Sequence, residues 1–126
     1  MNQTLIKNIN IWTMDERDSR FFGWILLENN RIASMGEGEP PTMSVMIDGD
    51  VIDGEGGVLT PGLIDIHSHI GLYEDGLGFE GADGNEDTDP ATPHLRALDG
   101  VNPFDRSFRE ALEAGVTAAA VSPGSA

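Results

Sequence analysis

The residues best suited to chemistry in this sequence are two histidines separated by one residue, His67 and His69. Side chains alternate between the two faces of a β-strand, so both imidazoles point to the same side if the segment is extended. Neutral imidazole is a common ligand of zinc and related divalent metals. The sequence has three histidines, and two of them form this pair. The spacing indicates a metal site, with surface or structural histidines as the alternative.

The segment that leads into this pair has the pattern of a β-strand. Pro61-Gly62 breaks the chain, and the mostly apolar run from Leu63 to His67 follows it directly. A short apolar run after a turn signal predicts a buried strand. The histidines would then lie at the carboxyl end of that strand.

A helix and a second strand are predicted further along the chain. Asn102-Pro103 is typical of a helix start, and Gly115 of a left-handed helix end. The unbroken apolar run from Val116 to Val121 predicts a strand buried on both faces. Strand, helix and strand in this order predict a parallel βαβ unit. One apolar stripe of the predicted helix consists of Phe104, Phe108, Ala111 and Leu112.

The N-terminal half shows short β-rich segments rather than helical periodicity, and this predicts a small β-sandwich or sheet. Asn29-Asn30 suits a two-residue hairpin turn because asparagine tolerates a positive φ. The predicted strands are Leu5 to Trp12, Gly23 to Glu28, Arg31 to Met35, Val45 to Ile47 and Val51 to Ile52. The predicted core anchors are Trp12, Phe21, Phe22 and Trp24.

The stretch from Pro61 to His69 resembles the first metal-binding motif of the amidohydrolase superfamily, P-G-[FLM]-[IV]-D-x-H-x-H. Three earlier segments resemble the entry region of the same superfamily: Leu5 to Ile9, Ile25 to Gly36 and Val51 to Gly62. Within the superfamily, the sequence is most similar to imidazolonepropionase-related members. The resemblance covers nearly the whole chain.

The resemblance implies two domains: part of an N-terminal β-sandwich over residues 1–59, and the start of a (β/α)8 TIM-type barrel over residues 60–126. The barrel part would hold a strand, an acidic loop, a helix and a second strand. Because a full barrel needs about 250 residues, we expect a truncated, N-terminal portion of an enzyme. The remaining metal ligands and the catalytic aspartate would come from later strands. We therefore expect no catalytic residue in this chain, and no activity from it alone.

The activity that the resemblance implies is hydrolysis of an amide, a cyclic amide or a related C–N bond by a metal-activated water. The cofactor would be a divalent metal, zinc in the first place, held by His67 and His69. Asp65 would support a ligand or belong to the barrel core, and His94 would be a surface residue or a substrate contact. The alternatives are a non-catalytic β-rich binding module and an oligomeric metal-binding protein that retains the motif.

The composition limits the classes of molecule that this chain is expected to bind. Twenty-two acidic and seven basic residues give a formal net charge of −15, which argues against nucleic acid or an anionic membrane as a partner. A small-molecule substrate is expected, together with self-association through unpaired strand edges. The sequence has no cysteine, no secretory leader pattern and no apolar run of membrane-spanning length, so a cytoplasmic location is predicted.

The loop after His69 is strongly acidic, with seven carboxylates and no cation between Glu74 and Asp89. The segment from Asp83 to Asp89 has oxygen-bearing side chains at alternating positions, as the start of a calcium loop does. It lacks the glycine and the glutamate that such a loop requires at later positions. We therefore favour a solvated loop over a calcium site.

Overall fold

The computed structural model describes residues 3–41 and 49–124, and these form two compact units, Met1–Pro61 and Gly62–Ala126. The first unit contains β1 (Gln3–Trp12), β2 (Arg20–Glu28), β3 (Arg31–Glu37), β4 (Asp50–Asp53) and β5 (Val58–Leu59). The second contains β6 (Leu63–Ser68), a short 3-10 helix (Gly78–Gly81), the one-turn helix α1 (Ala97–Gly100), α2 (Arg106–Glu113) and β7 (Val116–Val121).

The first unit is built around one mixed sheet with the order β3-β2-β1-β4, and β5 also pairs with β1. Strands β1, β2 and β3 are antiparallel, whereas β4 and β5 run parallel to β1. This sheet fits the predicted β-sandwich portion. The predicted strand from Val45 to Ile47 lies outside the described residues.

The turn between β2 and β3 confirms the predicted hairpin. Asn29 and Asn30 have φ values of 48° and 65°, and Glu28 pairs with Arg31 across the turn. Positive φ at both central residues is the signature of a type I′ turn, whose twist matches that of the flanking strands.

A bulge in β1 explains why its apolar residues do not simply alternate. The register with β2 shifts by one residue between Ile6 and Ile9, and Asn8 adopts a φ of 54° there. The extra residue moves Ile9 and Ile11 onto the sheet face of Ile6. They form a buried cluster there with Ile25.

Leu5, Trp24 and Leu26 form a separate buried cluster, so apolar side chains occupy both sheet faces. Trp24 is thus a core anchor, as predicted. Phe22 is 47% exposed, so its prediction as a core anchor is wrong. Side chains of β2 alternate between the two sheet faces, and Phe22 lies near the start of the strand on the same face as the exposed Arg20.

In the second unit, β6 and β7 pair in parallel with α2 between them in the sequence. The prediction that both strands are buried is wrong: Ile64 is 69% exposed and Ile66 is 84% exposed, and the middle of β7 is exposed as well. The reason is that this sheet has two strands within the described residues, which is too small a sheet to enclose the side chains on both of its faces.

The helix start also differs from the prediction. Helix α2 begins at Arg106 with Asp105 as its N-cap, and Asn102 instead accepts a hydrogen bond from the Phe104 amide in the preceding turn. Phe104 is 92% exposed and precedes the helix, and Leu112 within the helix is 61% exposed, so the predicted stripe is wrong at both residues. The predicted end is confirmed, because Gly115 follows the helix with a φ of 91°.

Candidate metal centre

The two histidines of the motif lie where β6 ends. His67 is the fifth residue of the strand, and His69 follows its last residue, Ser68. Their ring centroids are 5.2 Å apart and the rings are nearly perpendicular, at 80°. The structure therefore brings the predicted pair together on one side of the strand end.

The spacing of the rings fits two ligands of a single metal ion. With Zn–N bonds of about 2.0–2.1 Å and a tetrahedral angle, two imidazoles on one zinc have centroids about 5 Å apart. The 5.2 Å between His67 and His69 matches this value. Within the described residues the His67 ring makes no hydrogen bond and is exposed, so its nitrogens are available.

The protonation of the His69 ring follows from its hydrogen bond. Its Nδ1 lies 2.7 Å from the backbone carbonyl oxygen of Ser122, the residue directly after β7. A carbonyl oxygen only accepts hydrogen bonds, so Nδ1 carries the proton and donates it. The lone pair of the neutral ring then lies on Nε2, which is left free to bind a metal.

The parallel pairing of β6 and β7 places these groups beside each other. The Ser122 amide donates to the Ser68 carbonyl at 3.0 Å, which extends the pairing past the ends of both strands. Ser122 therefore lies next to His69. The carboxyl ends of parallel strands meet at one edge, where α/β proteins commonly bind their ligands.

Asp65 lies on the same strand as His67, is exposed, and uses its carboxylate locally. Its Oδ1 accepts a hydrogen bond from the backbone amide of His67 at 3.1 Å. Among the described residues it makes no hydrogen bond to an imidazole ring. Its supporting role towards a metal ligand stays a prediction.

His94 is exposed in the loop before α1 and is not part of the ring pair. Nearby, hydrogen bonds from the Thr88 hydroxyl and amide lower the pKa of Glu86, and His94 makes a smaller contribution in the same direction. Thr92, Leu95 and Arg96, on either side of His94, line a cavity of the same unit. The substrate contact predicted for His94 stays a prediction.

That cavity has a volume of about 580 Å³, within the usual range of small-molecule sites. Its charged lining residues are Asp83, Glu86, Arg96 and Asp99. Both the Nε and an Nη of Arg96 bond to Asp99, at 3.1 and 2.6 Å. This pairing raises the pKa of Arg96 and leaves Asp83 and Glu86 in excess.

Sequence reasoning missed two features that contact His69. One is the Ser122 carbonyl, since a backbone carbonyl is a group that every residue carries. The other is Tyr73, whose ring lies edge-on to His69 with centroids 5.9 Å apart. The only sequence signal for Tyr73 is its position four residues after His69 in a chain with a single tyrosine.

Three or more potential metal-binding side chains do not converge anywhere in residues 3–41 and 49–124. His67 and His69 thus form a pair without a third ligand in this part of the chain. None of the described helices is long and apolar enough to cross a lipid bilayer.

The sequence and the structure are both similar to known hydrolases. The chain is 34% identical over 140 residues to amidohydrolase TasK of Hapsidospora irregularis, and the match covers 98% of this chain and 14% of that protein. It also resembles the crystal structure of an amidohydrolase from Thermotoga maritima MSB8. That match has a TM-score of 0.77 and 41% identity, and it covers 98% of this chain and 30% of the other.

This chain belongs to the amidohydrolase superfamily. The chain is also similar to the imidazolonepropionase of Treponema denticola, with 36% identity over 53 residues. That match covers 42% of this chain and 13% of the other protein. No family model matches the sequence. The chain corresponds to an N-terminal portion of amidohydrolase-superfamily proteins. It spans about a seventh of the length of the curated relatives it matches. These similarities support the interpretation of this chain as a segment of a hydrolase.

Proposed function

We propose that this chain supplies two metal ligands, His67 and His69, to a hydrolase that cleaves an amide, a cyclic amide or a related C–N bond. The observation that carries the proposal is the hydrogen bond from His69 Nδ1 to the Ser122 carbonyl, 2.7 Å long, beside the exposed His67 ring. It leaves the Nε2 lone pair free at the edge where β6 and β7 both end. When bound, a divalent cation, with zinc as the first candidate, would polarise the bond under attack and activate a water molecule.

The barrel is part of the same proposal. Strand β6, helix α2 and strand β7 would be the first units of a (β/α)8 barrel, whose active site lies at the carboxyl ends of its strands. The parallel pairing of β6 with β7 supports this assignment. The exposed Ile64 and Ile66 also support it, because further strands and helices would cover such side chains. The other metal ligands and the proton-transferring group would come from those further strands.

The residues of this chain would hold and orient rather than transfer protons. Asp65 fixes the backbone at His67 through its hydrogen bond to the His67 amide. The Ser122 carbonyl holds one proton on His69 Nδ1 and so keeps Nε2 unprotonated. By this assignment the 126-residue chain binds metal through an incomplete ligand set and has no hydrolase activity alone.

The cavity next to this edge indicates what kind of molecule would enter. Arg96 is already paired with Asp99, so Asp83 and Glu86 dominate its electrostatics. Carboxylates repel an anionic group and attract amide, amine or hydroxyl donors. A neutral or donor-rich small molecule therefore suits the cavity better than one that places a carboxylate there.

Calorimetric titration of the purified 126-residue chain with zinc tests the metal assignment. We expect one weak site in the wild-type chain and a loss of at least about tenfold in affinity when His67→Ala and His69→Ala are combined. His94→Ala is the matched control and should bind like the wild type, because His94 is exposed and outside the ring pair. Equal zinc affinity of the wild type and the double variant would overturn the assignment and point to the carboxylates of the acidic loop.

A further inference from the structure

The single tyrosine of the chain occupies a slot between two glycines of different loops. A Cβ atom added at Gly84 would overlap Cζ and Cε2 of the Tyr73 ring. One added at Gly124 would overlap the side-chain oxygen of Asn85 and would lie 2.7 Å from the Tyr73 Oη. Neither glycine has a positive φ. Glycine is thus required at both positions for space and not for backbone conformation.

The two loops that form this slot are bonded to each other. The Gly124 amide donates to the Gly84 carbonyl at 2.8 Å. With its side-chain amide turned to satisfy both partners, Asn85 donates to the carbonyl oxygens of Gly84 and Gly124, at 3.1 and 3.2 Å. The acidic loop and the segment after β7 therefore meet around the tyrosine ring.

The base of the slot is fixed by the residues on either side of Tyr73. Leu72 is 1% exposed, its amide donates to the His69 carbonyl at 3.0 Å, and its carbonyl accepts from the Asp83 amide at 2.8 Å. Tyr73 also forms a β-bridge with Ala82. The backbone that carries the ring is consequently well packed, while Tyr73 itself is 41% exposed.

The slot lies next to the hydrogen bond that sets the protonation of His69. Gly124 follows Ser122 by two residues, and the Ser122 carbonyl accepts from His69 Nδ1. The His69 ring also contacts the Tyr73 ring, at a centroid distance of 5.9 Å and an angle of 81°. The Tyr73 ring and Gly124 therefore border the two partners of this hydrogen bond.

We propose that Tyr73 is a positioning residue for the metal ligand His69. Its ring, held between Gly84 and Gly124, keeps the Ser122 carbonyl against Nδ1, so that the proton of the neutral ring stays on Nδ1 and Nε2 keeps its lone pair. The ring itself does this, since the Tyr73 hydroxyl makes no hydrogen bond within the described residues. The relevance of this device to metal binding rests on the function proposed above.

The test is the protonation of His69 in the metal-free, ¹⁵N-labelled chain. Two-bond nitrogen–proton correlation spectra identify which ring nitrogen carries the proton. They are recorded at one pH, about two units above the ordinary pKa of histidine, so that the ring is neutral. We expect a proton on Nδ1 alone in the wild type and in Tyr73→Phe. In Tyr73→Ala and in Gly124→Ala we expect a mixture of two tautomers of the neutral ring, one with the proton on Nδ1 and one with the proton on Nε2.

A second glycine provides the matched control. Gly100 lines the cavity described above, but a Cβ there would overlap no atom, because its nearest neighbours are Leu72 at 3.2 Å and the Asp83 carbonyl oxygen at 3.3 Å. Gly100→Ala should keep the Nδ1 proton, like the wild type. Tyr73→Leu decides the matter if the alanine variants do not fold, and the amide resonances of β6 and β7 show which variants are folded.

Zinc titration of the same variants separates this proposal from the metal assignment. We expect affinity to fall about tenfold in Tyr73→Ala and Gly124→Ala and to be retained in Tyr73→Phe, as for other groups that orient a metal ligand. No zinc binding by the wild type would refute the metal assignment while the protonation test still stands. An unchanged Nδ1 proton in a folded Tyr73→Leu or Tyr73→Ala variant would overturn the role of Tyr73.

Discussion

The Nδ1 atom of His69 lies 2.7 Å from the carbonyl oxygen of Ser122, although 53 residues separate the two in the chain. This contact depends on the parallel pairing of β6 and β7, which brings the ends of the two strands together. A strand end by itself would leave the imidazole free to carry its proton on either nitrogen. The partner strand removes that freedom and makes His69 a directed ligand.

The N-cap of α2 gives a pH-dependent contribution to stability. The pKa of Asp105 is lowered because its carboxylate accepts hydrogen bonds from the Ser107 hydroxyl and amide, at 2.7 and 2.9 Å. A lowered folded-state pKa means that this contribution is present above the unfolded-state value of about 3.9 and is lost as the pH falls through the folded-state pKa.

Replacing this cap tests the argument. We expect Asp105→Ala to lower the free energy of unfolding at pH 7 by about 1 kcal/mol, measured by urea denaturation. Asp105→Asn should lose less, because its side-chain oxygen still accepts, and should remove the Asp105 contribution to the pH dependence below about pH 4. A wild-type and an Asn variant with the same slope of stability against pH in that range would contradict the assignment.

The hairpin of β2 and β3 requires glycine at position 23. A Cβ there would overlap the Gly36 carbonyl oxygen of the paired strand, and its next neighbours are also backbone atoms, which cannot rotate away. We expect Gly23→Ala to cost about 2–3 kcal/mol of unfolding free energy as an overpacked site. Thermal and urea denaturation of the chain measure this.

Gly38 is the matched control for that substitution, because it follows the same hairpin and has a φ of 73° but open space around its Cβ position. Gly38→Ala should cost about 1 kcal/mol, the penalty of a positive φ without a clash. If Gly23→Ala were no more destabilising than Gly38→Ala, the close approach of β2 and β3 at Gly36 would not hold in solution.

The bare face of β6 predicts self-association of the 126-residue chain. Ile64 is 69% and Ile66 is 84% exposed, and they lie on one face of a two-stranded sheet whose outer edges are unpaired within the described residues. Exposed apolar strands promote pairing between chains. By light scattering we expect a mass above 13.5 kDa that rises with concentration.

Replacing both residues by threonine should lower this mass while keeping a β-branched side chain that suits a strand. Phe79→Ser is the control, because Phe79 is 90% exposed but belongs to the short 3-10 helix and not to the sheet. Wild-type chain that stays monomeric at all concentrations would refute self-association through β6.

The sequence predicted correctly those features that depend on residues close to each other along the chain. The spacing of His67 and His69 is enough to place both rings on one side of a strand, because side chains alternate with a period of two. Asn29-Asn30 predicted its turn because asparagine accepts a positive φ, and Val116 to Val121 predicted β7 with its observed bounds. The motif from Pro61 to His69 was also sufficient to place the chain in the amidohydrolase superfamily.

Burial and the helix cap were harder to predict, for different reasons. An apolar run such as β7 has the same sequence whether or not neighbouring strands cover it, so its exposure depends on the rest of the fold. Asn102 and Asp105 are both good caps, and which one begins α2 depends on the turn between them. The bulge at Asn8 likewise appears only through the pairing of β1 with β2.

The protonation of His69 was decided by tertiary structure alone. Ser122 contributes a backbone carbonyl, a group that every residue carries, so no side-chain pattern marks it as a partner of His69. Tyr73 and its two glycines are likewise brought together by loops that are far apart in sequence. The sequence determines which side chain serves as a ligand, because that is a matter of residue type. The orientation of the imidazole ring and the position of its proton depend on backbone groups that only folding brings close to it.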